Sequence, residues 1–348
     1  MTFQTLIDDA LEIAVVPSFS RIGYVVRRRL FSWTLPAAGS LRGRTILVTG
    51  PTSGLGHATA DALAALGARL LLVGRDAERL AAVRDELVRE HGEDRFRTVV
   101  ADMSSLASVG AAADLIFETE PRLDVLIDNA GAIFAERSES PDGLEGTFAT
   151  MVVGPFALTT RLLPLLRRTG GARVVAVTSG GMYAQRLDLD DLQWERRAFD
   201  GARAYAHAKR AQVALMREWA RRIPASEVTF NAMHPGWADT PGISAALPGF
   251  YGLMAPILRS PAEGADTTIW LAADPAPAGA TGRVYLDRRV RPFDRVPFTR
   301  TSRADRRALW DVVADMAGLA DMADAGRATS AAPAPIPDPQ PQRHGVTT

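Results

Sequence analysis

The chain has 348 residues, 47% hydrophobic and 23% charged, with 40 basic and 40 acidic residues and no cysteine. These proportions are those of a soluble globular protein with a sizeable core, and they exclude a largely disordered chain. The net charge of zero creates no field that attracts nucleic acid, so we expect no nucleic-acid partner. The lack of cysteine excludes disulfides and thiolate chemistry and suits a reducing compartment such as the cytoplasm.

Residues 1–40 form a segment of their own. An apolar stripe from Leu6 to Ala14 has the spacing of one helix face, Pro17 interrupts it, and the stretch 22–33 carries Arg27, Arg28 and Arg29. No apolar run here is long enough for a membrane span, and the charge order opposes a secretory signal. The segment is therefore either a helical lid packed on the main domain or an interfacial membrane contact through residues 1–33.

The chain then becomes regular, because seven short β-type runs alternate with longer helical stretches. The runs are 45–49, 69–73, 96–100, 123–127, 173–177, 227–232 and 283–286. This alternation predicts an α/β, Rossmann-like doubly wound parallel sheet of about seven strands with helices on both faces, over residues 41–290. We expect a helical extension over 291–328, with one amphipathic helix at 303–325, and a disordered Pro/Ala-rich tail over 329–348.

A glycine-rich turn follows the first predicted strand and opens a helix. Gly50, Gly54 and Gly56 allow the backbone to turn tightly and to approach a pyrophosphate without a Cβ in the way. The N–H groups of the following helix then point at the phosphate. The turn predicts a dinucleotide site, to which the intervening residues Thr52, Ser53 and Leu55 also contribute.

Arg75 follows the second predicted strand, where an NAD-binding site usually has an acidic residue. A guanidinium there binds a 2′-phosphate as a bidentate partner, which favours NADP(H) over NAD(H). The alternative is a surface arginine paired with Asp76 at the start of the next helix.

Tyr205 and Lys209 are four residues apart, and Lys209 is the only lysine of the chain. Residues at this spacing share one helix face, and a nearby cation lowers the pKa of a phenol. The pair therefore predicts general acid/base chemistry. Ser179 follows the fifth predicted strand, at the edge of the sheet where ligands bind, and its hydroxyl could hold a carbonyl oxygen beside Tyr205.

With these features the chain resembles the short-chain dehydrogenase/reductase family over residues 41–290. The matching motifs are TGxxxGxG at 49–56, Asp102, the Asn129-Ala130-Gly131 run, Ser179, Tyr205, Lys209, and Pro235-Gly236 with Thr240. The resemblance implies that Tyr205 is the catalytic acid and that Lys209 lowers its pKa and holds the nicotinamide ribose. It implies that Ser179 orients the carbonyl, that Asp102 and Met103 flank the adenine, and that Asn129, Ala130 and Gly131 line the cofactor channel. It also implies that Pro235, Gly236 and Thr240 close over the nicotinamide.

Within the family, the runs VTSGGM, DLQWERRAFDG, MHPGWADTPG and EGADTTIWLA resemble the subgroup called dehydrogenase/reductase SDR family member 12, relatives of the retinol dehydrogenases. One position departs from the family pattern. Met151 stands where the family has an asparagine that supports a water-mediated proton relay to the lysine. A thioether accepts hydrogen bonds only weakly. A catalytically weak NADP-binding sensor or scaffold protein is therefore the alternative to an active enzyme.

The loop after the sixth predicted strand is unusually apolar, with Trp237, Ile243, Leu247, Phe250, Tyr251, Leu253 and Met254. Because the family covers its substrate with this region, the leading hypothesis is an NADP-dependent oxidoreductase acting on a lipophilic carbonyl or secondary alcohol. His57, His207 and His234 have no partners at ligand spacing, so we expect no metal. The resemblance to the family also implies a homo-oligomer, formed through the helices that contain Phe148 and Tyr205.

Overall fold

The computed structural model describes residues 2–92, 95–246 and 248–325, so the tail expected over 329–348 lies outside the described residues. Eight strands form one sheet in the described part. They are β1 (Thr45–Thr49), β2 (Arg69–Gly74), β3 (Phe96–Val100), β4 (Val125–Asp128), β5 (Ala172–Val177), β6 (Val228–Met233), β7 (Val284–Leu286) and β8 (Arg289–Arg291).

The strand order is β3-β2-β1-β4-β5-β6-β7-β8, and every pair is parallel except β7 with β8. This is the expected doubly wound sheet, with one antiparallel edge strand in addition to the seven expected strands. Asp287 and Arg288, with φ of 54° and 57°, form the tight turn before β8. The sheet therefore ends at Arg291, one residue beyond the expected boundary.

Helices cover both faces of the sheet. They are α1 (Phe3–Ile13), α2 (Val15–Phe19), α3 (Arg21–Leu30), α4 (Gly54–Ala65), α5 (Ala77–His91), α6 (Leu106–Thr119), α7 (Gly146–Phe148), α8 (Gly154–Thr169), α9 (Gly201–Arg222), α10 (Pro241–Ala246), α11 (Pro248–Met254), α12 (Pro261–Ala273), α13 (Arg303–Met316) and α14 (Ala320–Ala325). Alternate residues of each strand enter opposite cores. Ile46 packs with α4, α5 and α12, whereas Leu47 packs with α6, α8 and α9.

A π-helical turn at Ala149–Val153 joins α7 and α8 into one long helix over Gly146–Thr169. By length and composition this helix alone, among the described residues, could cross a membrane, but 83% of its apolar window is buried inside the fold. It is therefore placed as the core helix of a globular domain. Met151 lies in the π-helical turn and is fully buried.

The C-terminal extension contains two helices rather than the single helix expected over 303–325. Gly318 has a φ of +63° between α13 and α14, a conformation that ends a helix and favours glycine. Trp310 of α13 packs edge-on against Trp219 of α9, with ring centroids 4.5 Å apart. The extension thus covers the outer face of α9.

The N-terminal helices pack on the domain through a buried ionic network. Arg27 is fully buried and donates to Asp8 Oδ1 at 2.6 Å, Asp287 Oδ2 at 2.7 Å and Glu12 Oε2 at 3.1 Å. Arg259, also buried, binds Asp287 and the carbonyls of Ser18 and Ser20. Pro17 lies inside α2, and the breaks fall at Ala14 and Ser20 rather than at Pro17.

Replacing Arg27 with methionine should strongly destabilise the protein, because it leaves the carboxylates of Asp8 and Asp287 buried and short of a cation. We expect the free energy of unfolding to fall by about 3–5 kcal/mol, measured by chemical denaturation. Arg28→Met is the matched control, since Arg28 is the exposed neighbour on the same helix. Equal stability of the two variants would contradict the network's role.

Candidate active site

A cleft of about 410 Å³ opens beyond the carboxyl ends of the parallel strands. This is the edge where doubly wound sheets bind their ligands, and the volume suits a small-molecule site. Of the site residues expected from the sequence, the structure places all but Gly54 in its lining, namely Gly50, Thr52, Ser53, Leu55, Gly56, Arg75, Asp102, Met103, Asn129, Ala130, Gly131, Ser179, Tyr205, Lys209, Pro235, Gly236 and Thr240.

The glycine-rich turn has the geometry of a cradle. Gly50 has a φ of +66°, and a Cβ on Gly56 would lie 2.0 Å from the carbonyl oxygen of Gly50. The side chain of Asn129 donates to the carbonyls of Thr49 and Gly50, and so holds the turn against β4. Gly54, with a φ of +53°, begins α4 beside Thr240 instead of lining the cleft.

Arg75 and Arg79 lie at one end of the cleft. Asp76 caps α5 by accepting from the backbone N–H of Arg79 at 3.0 Å, and no ion pair joins Arg75 to Asp76 within the described ranges. The guanidinium of Arg75 is exposed, so it is free for an anionic ligand. Arg79 was not predicted from the sequence, although its place four residues after Arg75 puts both on one side of the helix start.

Asp102 and Met103 line the cleft beside the glycine-rich turn. The carboxylate of Asp102 accepts from the backbone N–H and the hydroxyl of Ser104, which fixes its position. Pro235, Gly236 and Thr240 lie across the cleft on the loop after β6. The site thus spans the sheet edge from β3 to β6, as an extended dinucleotide requires.

Ser179 and Tyr205 both line the cleft, and two opposing effects act on the pKa of the Tyr205 phenol, burial and the nearby hydroxyl of Ser179, which lowers it. Burial is the larger effect and raises the pKa of Tyr205 to about 12. The expected lowering by Lys209 is not found, because the ammonium is directed to a backbone carbonyl instead. Its Nζ lies 5.6 Å from the centre of the Tyr205 ring and donates to the carbonyl of Val177 at 2.8 Å.

Lys209 is buried, and desolvation lowers its pKa to about 7. The one opposing electrostatic influence is Asp128, the last residue of β4 and also buried, whose own pKa burial raises to about 7. Such strongly shifted groups in a cleft are typical of catalytic sites. Asp128 was not predicted from the sequence, where it directly follows the predicted strand 123–127.

Met151 lies beside Lys209. A Cβ placed on Gly131 would lie 3.0 Å from Met151 Sδ and 3.5 Å from Lys209 Nζ, so both side chains reach the same point. The structure therefore places Met151 near Lys209, as the family resemblance implies. The thioether offers this lysine only a weak acceptor.

The histidines have different surroundings. His207 Nε2 accepts from the backbone N–H of Asp188, and His234 is buried against the ring of Phe19. His57, for which the sequence suggested no acidic partner, lies 3.3 Å from Glu86. Asp61, Glu90 and His91 bring three ligand atoms within 4.8 Å of one another, which the sequence analysis did not anticipate, but His91 is already paired with Asp61.

The N-terminal segment supports two loops beside the site, which the sequence did not predict. The carbonyl of Phe19 accepts from the backbone N–H of Trp237 at 2.7 Å. The Phe19 ring packs so closely on the loop after Ser179 that a Cβ on Gly180 would lie 2.5 Å from it. Phe19 thus contacts both loops that flank the cleft, the one after β5 and the one after β6. Local sequence patterns cannot predict such a contact, because its partners lie far away in the sequence.

Three comparisons place these features among known proteins. A model of the short chain dehydrogenase family matches residues 44–247. Dehydrogenase/reductase SDR family member 12 of Bos taurus is 42% identical over 278 residues, covering 79% of this chain and 86% of that protein. Retinol dehydrogenase 14 of Mus musculus is 34% identical over 299 residues, covering 81% and 88%. A short chain dehydrogenase structure from Escherichia coli CFT073, complexed with NADPH, is 26% identical with a TM-score of 0.60, covering 73% and 100%.

Replacing Arg75 with alanine should weaken binding of NADPH at least about tenfold, or ~1.4 kcal/mol, and leave binding of NADH unchanged. The reason is that only NADPH carries the 2′-phosphate that this guanidinium would pair with. Energy transfer from the six tryptophans to the nicotinamide measures both affinities without a substrate. Arg89→Ala, which changes an exposed arginine of α5 outside the cleft lining, is the control. An equal loss for both cofactors would refute the assignment.

Proposed function

The chain belongs to the short chain dehydrogenase family of oxidoreductases, and we propose that it transfers a hydride between NADP(H) and a carbonyl or secondary alcohol of a lipophilic substrate. Tyr205 is the general acid and base, Lys209 supports it, and Ser179 orients the substrate oxygen. The observation that carries the proposal is that Ser179, Tyr205 and Lys209 line one cleft together with the glycine-rich turn and Arg75.

The described residues fit a dinucleotide because Gly50, with a φ of +66°, and Gly56, which has no room for a Cβ against the carbonyl of Gly50, form the tight turn that such a site needs. The turn from Gly50 to Gly56 and the start of α4 would hold the pyrophosphate. Arg75 and Arg79 would hold the 2′-phosphate, and Pro235, Gly236 and Thr240 would lie over the nicotinamide. When bound, the cofactor supplies or accepts the hydride.

Tyr205 supplies the proton of the reaction. Burial keeps its phenol protonated at neutral pH, so in the reductive direction it is ready to donate to a carbonyl oxygen that Ser179 also contacts. The phenolate formed in that step lies beside Lys209, whose ammonium can return the proton. In the oxidative direction the same groups act in the reverse order.

Apolar residues at the open end of the cleft support a lipophilic substrate. Ile133 and Phe134 line the cleft, and Trp237 and Phe250 pack edge-on with ring centroids 5.2 Å apart on the adjoining loop. One similar protein is named for retinol, a lipophilic alcohol. Leu247, which the sequence analysis assigned to this cover, lies outside the described residues.

The N-terminal helices supply a second reason to expect a lipophilic substrate. Their inner side packs on the domain, while Phe3 and Ile13 are 75% and 82% exposed and Arg28 and Arg29 are exposed nearby. We propose that residues 1–33 contact a membrane surface peripherally while also supporting the two loops beside the cleft. Cosedimentation with anionic vesicles, lost in a Phe3→Ser/Ile13→Ser double variant, tests this. Absence of binding by the native chain would contradict it.

Self-association also stays a proposal. The helices expected to carry it, which contain Phe148 and Tyr205, are largely buried within one chain, and α13 packs against α9. An oligomer formed on the α9 side of the domain would therefore include α13 in its interface.

Replacing Tyr205 with phenylalanine should reduce turnover at least about a hundredfold, because the proton donor is lost while the ring remains. Binding of NADPH should stay nearly intact. Tyr24→Phe, which alters a buried phenol outside the cleft lining, is the control. Similar slow rates for the native chain and the Tyr205 variant would contradict the enzyme assignment and favour the alternative, a weakly catalytic NADP-binding sensor or scaffold protein.

A further inference from the structure

A small cavity lies between the sheet, the start of α8 and α9. Its volume is about 10 Å³, and its lining includes Asp128, Met151, Gln212 and Trp219. A cavity of this volume, measured with a water-sized probe, holds about one water molecule. An apolar cavity of that size would stay dry. The polar groups around this cavity therefore decide whether it holds a water molecule.

Four polar atoms at this cavity have no hydrogen-bond partner within residues 2–92, 95–246 and 248–325. They are Asp128 Oδ1, both terminal atoms of Gln212, and Trp219 Nε1. The three residues are at most 4% exposed. Unpaired buried polar groups are costly, and a water with two to four polar partners is the usual solution. The cavity therefore has the size and the partners of a single-water site.

The same carboxyl group interacts electrostatically with Lys209. Asp128 is in register with Ala176 on the neighbouring strand, and the next residue, Val177, accepts the hydrogen bond from Lys209 Nζ. Gln212 is three residues after Lys209 on α9, so the two side chains lie on one side of that helix. The field of Asp128 raises the pKa of Lys209, and the field of Lys209 lowers the pKa of Asp128.

Resting on the proposed function, we propose that Asp128 and the cavity beside it form the proton route that resupplies Lys209, in place of the relay that Met151 cannot support. In reduction, Tyr205 gives its proton to the carbonyl oxygen, and the Lys209 ammonium returns one to the phenolate. The Asp128 carboxylic acid then gives a proton to the Lys209 amine through the cavity water. The resulting carboxylate regains a proton from solvent, so one solvent proton enters the product for each hydride transferred.

The energetics suit this route. Burial raises the pKa of Asp128 and lowers the pKa of Lys209 until both lie near neutrality. Proton transfer between two groups of similar pKa involves only a small change in free energy in either direction. This suits a reversible oxidoreductase. Within the described part of the chain, Tyr205 and Lys209 are the titratable groups on α9 closest to this route. Thr159 of α8 adds a hydrogen bond to Asp128 at 3.5 Å.

The first test uses the cofactor-free protein, so it does not depend on the proposed activity. Infrared difference spectra recorded from about pH 5 to about pH 9 should show a carboxylic acid band that disappears near neutrality. The band should be missing in Asp128→Asn. In Thr159→Val it should persist and titrate at higher pH, because that hydrogen bond lowers the pKa of the carboxyl. A carboxyl that titrates only at acidic pH would overturn the proposal.

The second test measures turnover in the same variants. Asp128→Asn keeps the shape of the side chain but cannot release a proton, so we expect kcat to fall about tenfold to a hundredfold, with KM for NADPH unchanged. The pH at which the reductive rate declines should move lower, because the charge that raises the pKa of Lys209 is gone. A merely structural role would leave that pH in place.

Adding Met151→Asn to the Asp128→Asn variant should restore much of the lost rate, because it supplies an amide beside Lys209 where the thioether was. An unchanged kcat and pH profile in Asp128→Asn, with the infrared band confirmed in the native protein, would overturn the relay but leave the proposed function standing. Lack of turnover in every variant, with the band present, would instead count against the proposed function.

Discussion

The burial of a single ammonium group is the constraint on which the site depends. Lys209 is the only lysine of the chain and lies inside the domain, held by the carbonyl of Val177 at the end of β5. Leaving water favours its neutral amine, whereas Asp128 favours its charged form. The balance places the group near its titration point, where a small change in a neighbour alters its charge. The sheet, through the carbonyl of Val177, and α9 together fix the position of that group.

The N-terminal helices make this position depend on a distant part of the chain. Arg27 and Arg259 share the carboxylate of Asp287, so α3, the loop before α12 and the β7–β8 turn are joined in one buried network. Phe19, beside this network, holds the two loops that border the cleft. A segment with an exposed apolar side is thus also structural support for the catalytic loops. Contact of the N-terminal helices with a membrane surface would therefore act directly on the loops that border the cleft.

Local sequence patterns predicted the elements whose conformation depends on residues close together in the sequence. The strand 45–49, the glycine-rich turn and the Tyr205/Lys209 spacing follow from side-chain alternation, positive φ and helix periodicity, and the structure places them as expected. The break at Gly318 was missed because a single glycine inside a helical pattern is ambiguous. Arg27 and Asp128 could not be assigned, because their partners lie far away in sequence.

We propose above all that a hydride passes between a nicotinamide cofactor and a lipophilic carbonyl bound in this cleft. The most direct measurement incubates the protein with NADPH deuterated at C4 of the nicotinamide and a panel of long-chain aldehydes and ketones, and analyses the alcohols by mass spectrometry. The account predicts an alcohol with one deuterium on the former carbonyl carbon. Alcohol without deuterium, or no alcohol from a protein shown to bind NADPH, would contradict it.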